Sequence, residues 1–243
     1  MVQNLGVTSP AGGTTLAELI RRQPGAARVF ERFGLDFCRH GQTTLVDACS
    51  AAGLKSEVLL EAIAATENAQ DVAFEQALAD PGPVALSEHI EVVHHQWLHA
   101  ELPELVTLAV KVALVHGERH PELAELRPLV AELEVDFIPH LAKEERVLFP
   151  AIRALAEGRS GFAFGSVAQP IAVMTAEHET VGGLLHKLQA VSAGYRVPED
   201  GCASYRPLYT RLEELETDTH LHVFKEYSLL FPAAVALRFL STA

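Results

Sequence analysis

His140-Leu-Ala-Lys-Glu-Glu-Arg-Val-Leu-Phe-Pro150 and His222-Val-Phe-Lys-Glu-Tyr-Ser-Leu-Leu-Phe-Pro232 are two copies of one eleven-residue phrase, with His, Lys, Glu, Leu, Phe and Pro at identical offsets. In each copy His and Glu stand four residues apart, which on an α-helix stacks them on one face about a turn from each other. Burying such a pair without a cation leaves a carboxylate in low dielectric, at a cost of several kcal/mol. The chain writes that cost twice, and a bound cation accounts for both copies.

Around the phrases run four long segments with helical apolar spacing. The first is expected to be capped by Ser87 and to pass through Val92, Val93, Leu98, Leu102, Leu105, Leu108 and Val112 to His116, with Gly117 ending it and Pro103 kinking it. The second opens at Pro121 and passes Leu129, Leu133 and Phe137 into the first phrase. A third, after the glycine-rich loop 158–168, carries Val173, Met174, His178, Val181, Leu185 and Leu188. The fourth follows the loop 194–204 and runs from Tyr205 through Leu212 and Leu215 into the second phrase. With no β-rich run between them, the expected fold is all-α, an up-down-up-down four-helix bundle over 84–243. Before it, short helical patterns broken at Pro24-Gly25, Gly34 and Gly53 predict a small helical N-terminal domain over 14–70. A flexible tail over 1–13 precedes it, and a linker over 71–83, containing Asp80-Pro81-Gly82-Pro83, joins it to the bundle.

Composition narrows the function. With 32 acidic against 19 basic residues the net charge is -13, which repels nucleic acid and anionic membranes. Three scattered cysteines, Cys38, Cys49 and Cys202, with no Cys-x-x-Cys pair, fit neither a disulfide framework nor thiolate zinc and suit a reducing cytoplasm. The N-terminus lacks a basic start and an apolar run, and no apolar segment is long enough to span a bilayer, so a cytoplasmic protein is expected. Twelve histidines, most of them after residue 88, are about twice an ordinary share and point to a metal.

The second helix supplies His140 and Glu144, the fourth His222 and Glu226, and the third His178. The first offers His89, His94, His95, His99 and His116. His95 and His116 lie about 31 Å apart along a straight helix, so only one can join a common centre. An antiparallel return from a turn near residue 118 brings His140 level with residue 96, which selects His95 or its neighbours and leaves His116 as an end residue. Taking His95, four imidazoles and two carboxylates suit two metals: both glutamates bridge, each ion gains two nitrogens, and a shared oxo or hydroxo group leaves one open position per ion. Such donors favour iron over calcium, magnesium or closed structural zinc, with manganese or a mixed pair left open. Asp136, one turn before His140, and Glu177, beside His178, are candidates to orient the imidazoles or relay protons.

His, then His-x-x-x-Glu, then His, then His-x-x-x-Glu, with Leu-Phe-Pro after each pair, resembles hemerythrin-like di-iron domains. Leu35-Asp-Phe-Cys-Arg-His-Gly41 followed by Thr44-Leu-Val-Asp-Ala-Cys49 is similar to the N-terminal domain of the repair-of-iron-centres family. The resemblance spans about Thr14 to Leu240 and implies a cytoplasmic non-haem di-iron protein of nitrosative and oxidative stress that restores damaged iron-sulfur clusters. It implies His95, His140, Glu144, His178, His222 and Glu226 as ligands, with Glu101 to Leu105 aligning the first helix so that His95 is chosen. Damaged or apo iron-sulfur proteins and a small diatomic or peroxide ligand are the implied partners, and a homodimer is admitted. Family members carry two adjacent cysteines in the N-terminal turn, whereas Arg39 follows Cys38 here, leaving Cys38 with His40 as a single candidate reactive thiol. The other functions weighed are a hemerythrin-like module binding or sensing dioxygen or nitric oxide, and a di-iron oxidoreductase turning over nitric oxide or peroxide. The Leu-Phe-Pro tails are expected only to pack the bundle end.

Overall fold

The computed structural model describes residues 13–23, 25–66, 82–201 and 203–240. Nearly all of the tail and linker expected at 1–13 and 71–83, and Cys202, lie outside the described residues.

Among the described residues four short helices come first: α1 Leu16–Arg22, α2 Ala26–Arg32, α3 Leu45–Ala52 and α4 Ser56–Ala64. Local chemistry sets their ends. Thr15 caps α1 in a reciprocal box with Glu18, Thr44 caps α3 through the Asp47 amide, and Gly53 stops α3 at φ 67°, where a side chain would be strained.

The bundle follows. Helix α5 runs as Gly82–Ile90, a π-helical turn Glu91–His95 and Gln96–His116; α6 as Leu123–Lys143, a π-turn Glu144–Leu148 and Phe149–Ala156. Helix α7 is Ala168–Val191, and α8 is Tyr205–Lys225, a π-turn Glu226–Leu230 and Phe231–Leu240. Helix α6 packs against α5 and α7, and α8 against α5, in the up-down-up-down order expected. Ser87 is no cap: α5 begins at Gly82, and the buried Ser87 hydroxyl donates to the Val84 carbonyl inside the helix. Val92 and Val93, expected inside, are exposed, because the π-turn rephases α5 so that Ile90, His94 and His95 face inward instead. Val173 on α7 is likewise exposed.

Two apolar layers fill the bundle. One gathers Leu98, Leu102, Leu133, Phe137, Leu141, Val181 and Leu215; the other gathers Ile90, Leu148, Phe149, Met174, Leu230 and Phe231. Between the two layers lie His95 on α5, Glu144 on α6, His178 on α7, and His222 and Glu226 on α8, together with other buried polar residues such as His94 and Thr219. The short helices build their own core around Ile20, Phe30, Phe37, Leu59 and Ile63, but complete it with Val223 and Phe224 of α8. A module of that size is marginal alone, and it shares its core with the outer face of the helix that carries the second phrase. Gly41 permits the close approach, since a Cβ there would lie 2.8 Å from Ser228 Oγ and 3.0 Å from the Phe37 carbonyl. Among the described residues no helix is long and apolar enough to cross a membrane.

Candidate metal centre

The structure brings all six expected ligands together in the layer between the apolar cores. His95, Glu144, His222 and Glu226 form one cluster, and His140, Glu144, His178 and Glu226 a second, with the donor atoms of each within 4.8 Å of one another. Both glutamates belong to both clusters. His95 Nε2 lies 3.3 Å from His222 Nε2, and His140 Nε2 3.1 Å from His178 Nε2. Glu144 Oε2 is 3.3 Å from His95 and 3.6 Å from His140, while Glu226 is 3.4 Å from His222 and 3.1 Å from His178. His116 is held at the far end of α5, beside His120 and Tyr205.

Three of the four bundle helices place their ligands through a π-turn: His95 closes one, and Glu144 and Glu226 each open one. The wider turn breaks the strict i, i+4 stacking and lets both glutamates swing toward the shared centre. It also aims the tails of the repeated phrase. Phe149 stacks on His95 at 5.4 Å and Phe231 on His178 at 6.3 Å. The Leu-Phe-Pro segments therefore do more than pack the bundle end; each phenylalanine shields a candidate ligand from water.

Electrostatically the layer demands positive charge. Glu144 and Glu226 are wholly buried, and none of their four carboxylate oxygens has a hydrogen-bond donor among the described residues. Burial and the facing Glu226 push the Glu144 carboxyl well above the usual carboxylate range. For Glu226 burial opposes ionisation, but His222 and His178 hold the carboxylate well below that range. Burial, with His222 and His178 as respective neighbours, lowers His95 and His140 to about 4. These two imidazoles are thus neutral at pH 7, the form that binds metal. Their tautomers are set from outside: His95 Nδ1 lies 3.1 Å from Glu145 Oε1 and His140 Nδ1 3.0 Å from Glu177 Oε2, so each Nε2 lone pair points into the layer. The residues fit a pair of cations bridged by two carboxylates.

Of the two candidate orienting groups, Glu177 takes that place and is braced by Lys143. Asp136 is half-buried on α6 without a hydrogen bond to His140. Glu145, which also holds His99, is the partner that sequence reasoning missed. The neighbouring Glu144 drew attention away from it. Also missed was a set beside His222: the buried His94 and Lys225 with the half-buried Asp218.

Cys38 is buried, and its thiol donates to Asp36 Oδ1 at 3.0 Å. Burial and the Asp36 charge push it far above the ordinary thiol range, so the thiolate needed for reactivity is suppressed. His40 pairs with the other Asp36 oxygen and not with Cys38. Arg39 bridges Asp36 to Glu179 on α7. Beneath this bridge a cavity of about 630 Å³ lies between the N-terminal module, α7 and α8, and His178 forms part of its wall. His178 Nε2 faces Glu226, and its Nδ1 is buried with no hydrogen-bond partner among the described residues.

A four-helix bundle with such a layer defines the hemerythrin-like class of cation-binding proteins, and residues 86–234 match the hemerythrin HHE cation binding domain. Residues 12–67 match a domain of unknown function, DUF542. Similar proteins include the iron-sulfur cluster repair protein YtfE of Cronobacter sakazakii, 33% identical over 91% of this chain and 96% of that protein. Another YtfE, of Enterobacter sp., is 34% identical over the same shares, and the iron-sulfur cluster repair protein ScdA of Staphylococcus haemolyticus is 28% identical over 89% and 95%. The chain belongs to the iron-sulfur cluster repair family of hemerythrin-like proteins.

Proposed function

We propose that His95, His140, Glu144, His178, His222 and Glu226 hold two iron ions bridged by the two glutamates and an oxo or hydroxo group. We infer that the protein uses them to restore damaged iron-sulfur clusters under nitrosative or oxidative stress. The observation that carries the metal pair is the two fully buried carboxylates shared by both clusters, with no donor on any of their oxygens. The step to repair is supported by the names of relatives that match nearly the whole chain.

When bound, the pair supplies releasable iron and a redox centre with positions open to a small ligand. The chain's own residues do the rest. Glu145 and Glu177 fix the tautomers of His95 and His140, Lys143 steadies Glu177, and Phe149 and Phe231 keep water from two ligands. Recipients would be apo or damaged iron-sulfur proteins in a reducing cytoplasm, which suits the free cysteines Cys38 and Cys49.

Metal analysis of fresh protein should give two irons per chain, and titration with an apo iron-sulfur acceptor should move iron to it. Tight retention of both irons in that assay would sink the supply reading. The cavity reaching His178 favours a second reading, in which nitric oxide or peroxide is turned over at the centre. Many equivalents of nitrous oxide formed from the reduced protein and nitric oxide would promote it.

A further inference from the structure

Each copy of the repeated phrase ends in a proline, which has no N–H to give the carbonyl four residues before it. In the second copy that carbonyl belongs to Ser228, two residues after Glu226 and inside the π-turn Glu226–Leu230. Ser228 is only 5% exposed, and a buried carbonyl needs a donor from somewhere. The N-terminal module supplies one: Arg21, in the last turn of α1, donates from Nη2 to the Ser228 oxygen at 2.9 Å. The module closes on the same turn at two further places. Gly41 approaches Ser228 Oγ so nearly that a Cβ would lie 2.8 Å from it. Tyr227, between Glu226 and Ser228, packs against both the module's core and the bundle layer around Phe231. Its ring lies 5.5 Å from that of His178, and its hydroxyl donates to the Thr175 carbonyl on α7 at 3.3 Å.

The first copy is built otherwise. Its corresponding carbonyl belongs to Arg146, an exposed residue, and no residue of that copy enters the module's core. The place of Tyr227 is taken by Glu145, which holds His95 and His99. The module thus grips the turn that carries one shared carboxylate and not the turn that carries the other. A π-turn interrupts the regular ladder of the helix, so its exact place depends on bonds from outside, and a bond from a guanidinium is stronger than one from a neutral donor.

We propose that Arg21 is a positioning residue: by supplying the donor that Pro232 withholds, it fixes the π-turn from which Glu226 reaches both clusters, and so couples docking of the N-terminal module to retention of the metal pair. The coupling rests on the metal-pair reading. It gives the module a task at the centre that needs no reactive thiol, in keeping with the suppressed thiolate of Cys38.

The test uses the full chain as wild type, Arg21→Met and Arg22→Met, the last removing the same charge from the adjacent exposed position. In metal-free protein, amide hydrogen exchange is read at Phe231 and Phe149, whose N–H groups close the two π-turns onto the Glu226 and Glu144 carbonyls. Arg21→Met should speed exchange at Phe231 on the order of tenfold and leave Phe149 unchanged, since one charge-assisted hydrogen bond is lost at one turn only. Loaded with iron(II) without oxygen and challenged with excess chelator, Arg21→Met should also release iron on the order of tenfold faster than wild type. Pro232→Ala, at an exposed position, returns an N–H to the helix, so Arg21→Met made in that background should lose most of both effects. Unchanged exchange at Phe231, equal acceleration at Phe149, the same effects in Arg22→Met, or no rescue by Pro232→Ala overturns the inference. Faster exchange with an unchanged rate of release overturns it too, because Arg21 would then brace the helix alone. A wild type that binds no iron sinks the metal-pair reading and the coupling with it, whereas unchanged exchange at Phe231 sinks this inference alone.

Discussion

Glu144→Gln should stabilise the metal-free protein and destabilise the metal-loaded one. Without metal, the wholly buried Glu144 faces Glu226 and has no donor on either oxygen. An uncompensated buried carboxylate, or the proton uptake that relieves it, costs about 2–4 kcal/mol. The amide fills nearly the same volume, carries no charge and supplies donors to Glu226 and to the imidazole lone pairs. For a chain of this length about 1 kcal/mol moves the melting temperature by roughly 2–4 °C, so metal-free Glu144→Gln should melt roughly 5–10 °C above metal-free wild type. The gap should also depend on pH. Burial and Glu226 raise the folded pKa of Glu144 above its unfolded value, so its contribution is fully present below the unfolded carboxylate range and is lost as pH rises toward the raised value. The advantage of the glutamine should therefore widen with rising pH. Metal reverses the order, because wild type gains about 4 kcal/mol from a ligand at a thousandfold its dissociation constant, while the amide cannot bridge two cations as an anion. Thermal melts of both proteins, with chelator and with iron(II), read all four states. A metal-free Glu144→Gln no more stable than metal-free wild type would refute the reading of this layer as a cation site.

Other outcomes follow from the same geometry. His140→Ala and Glu226→Ala should each lose most of the bound metal while helical circular dichroism survives, since the apolar layers on both sides remain intact; full occupancy in both would remove the site. Gly41→Ala forces a methyl to 2.8 Å from Ser228 Oγ and 3.0 Å from a carbonyl, and should cost about 1–3 kcal/mol in denaturant unfolding. Against burial, the Cys38 thiol and Arg39 hold the Asp36 carboxyl down to about 2. Its stabilisation is thus present above the ordinary carboxylate pKa and is lost as pH falls through about 2. Asp36→Asn should flatten the acid limb of the stability curve between roughly pH 4 and 2, and a limb unchanged from wild type would show that the turn is not held this way.

The demand for positive charge is unequal across the layer. His95 and His140 are oriented by carboxylates, while His178 borders the cavity and His222 lies against the Lys225 set. One repeated phrase has thus been placed in two different surroundings. That difference is what a sequence repeat conceals.

The sequence by itself determined the four helices, the six candidate ligands and their division among the helices. Helical period and the four-residue His-to-Glu spacing are local properties, and a repeat of eleven residues makes chance an implausible cause. It also selected the level of His95, because rise per residue and a short turn constrain which positions on antiparallel helices can meet. Only the tertiary structure decided the rest. The π-turns at Glu91–His95, Glu144–Leu148 and Glu226–Leu230 come from the pull of packing and polar satisfaction across helices, which no local spacing encodes. They turned Val92 and Val93 outward and brought Phe149 and Phe231 onto the histidines. The choice of Glu145 and Glu177 over Asp136 depended on which neighbouring helix stood opposite each imidazole. Lys143 and Lys225 hold one place in one phrase, yet one reaches the surface and the other is buried, because different helices cover the two copies.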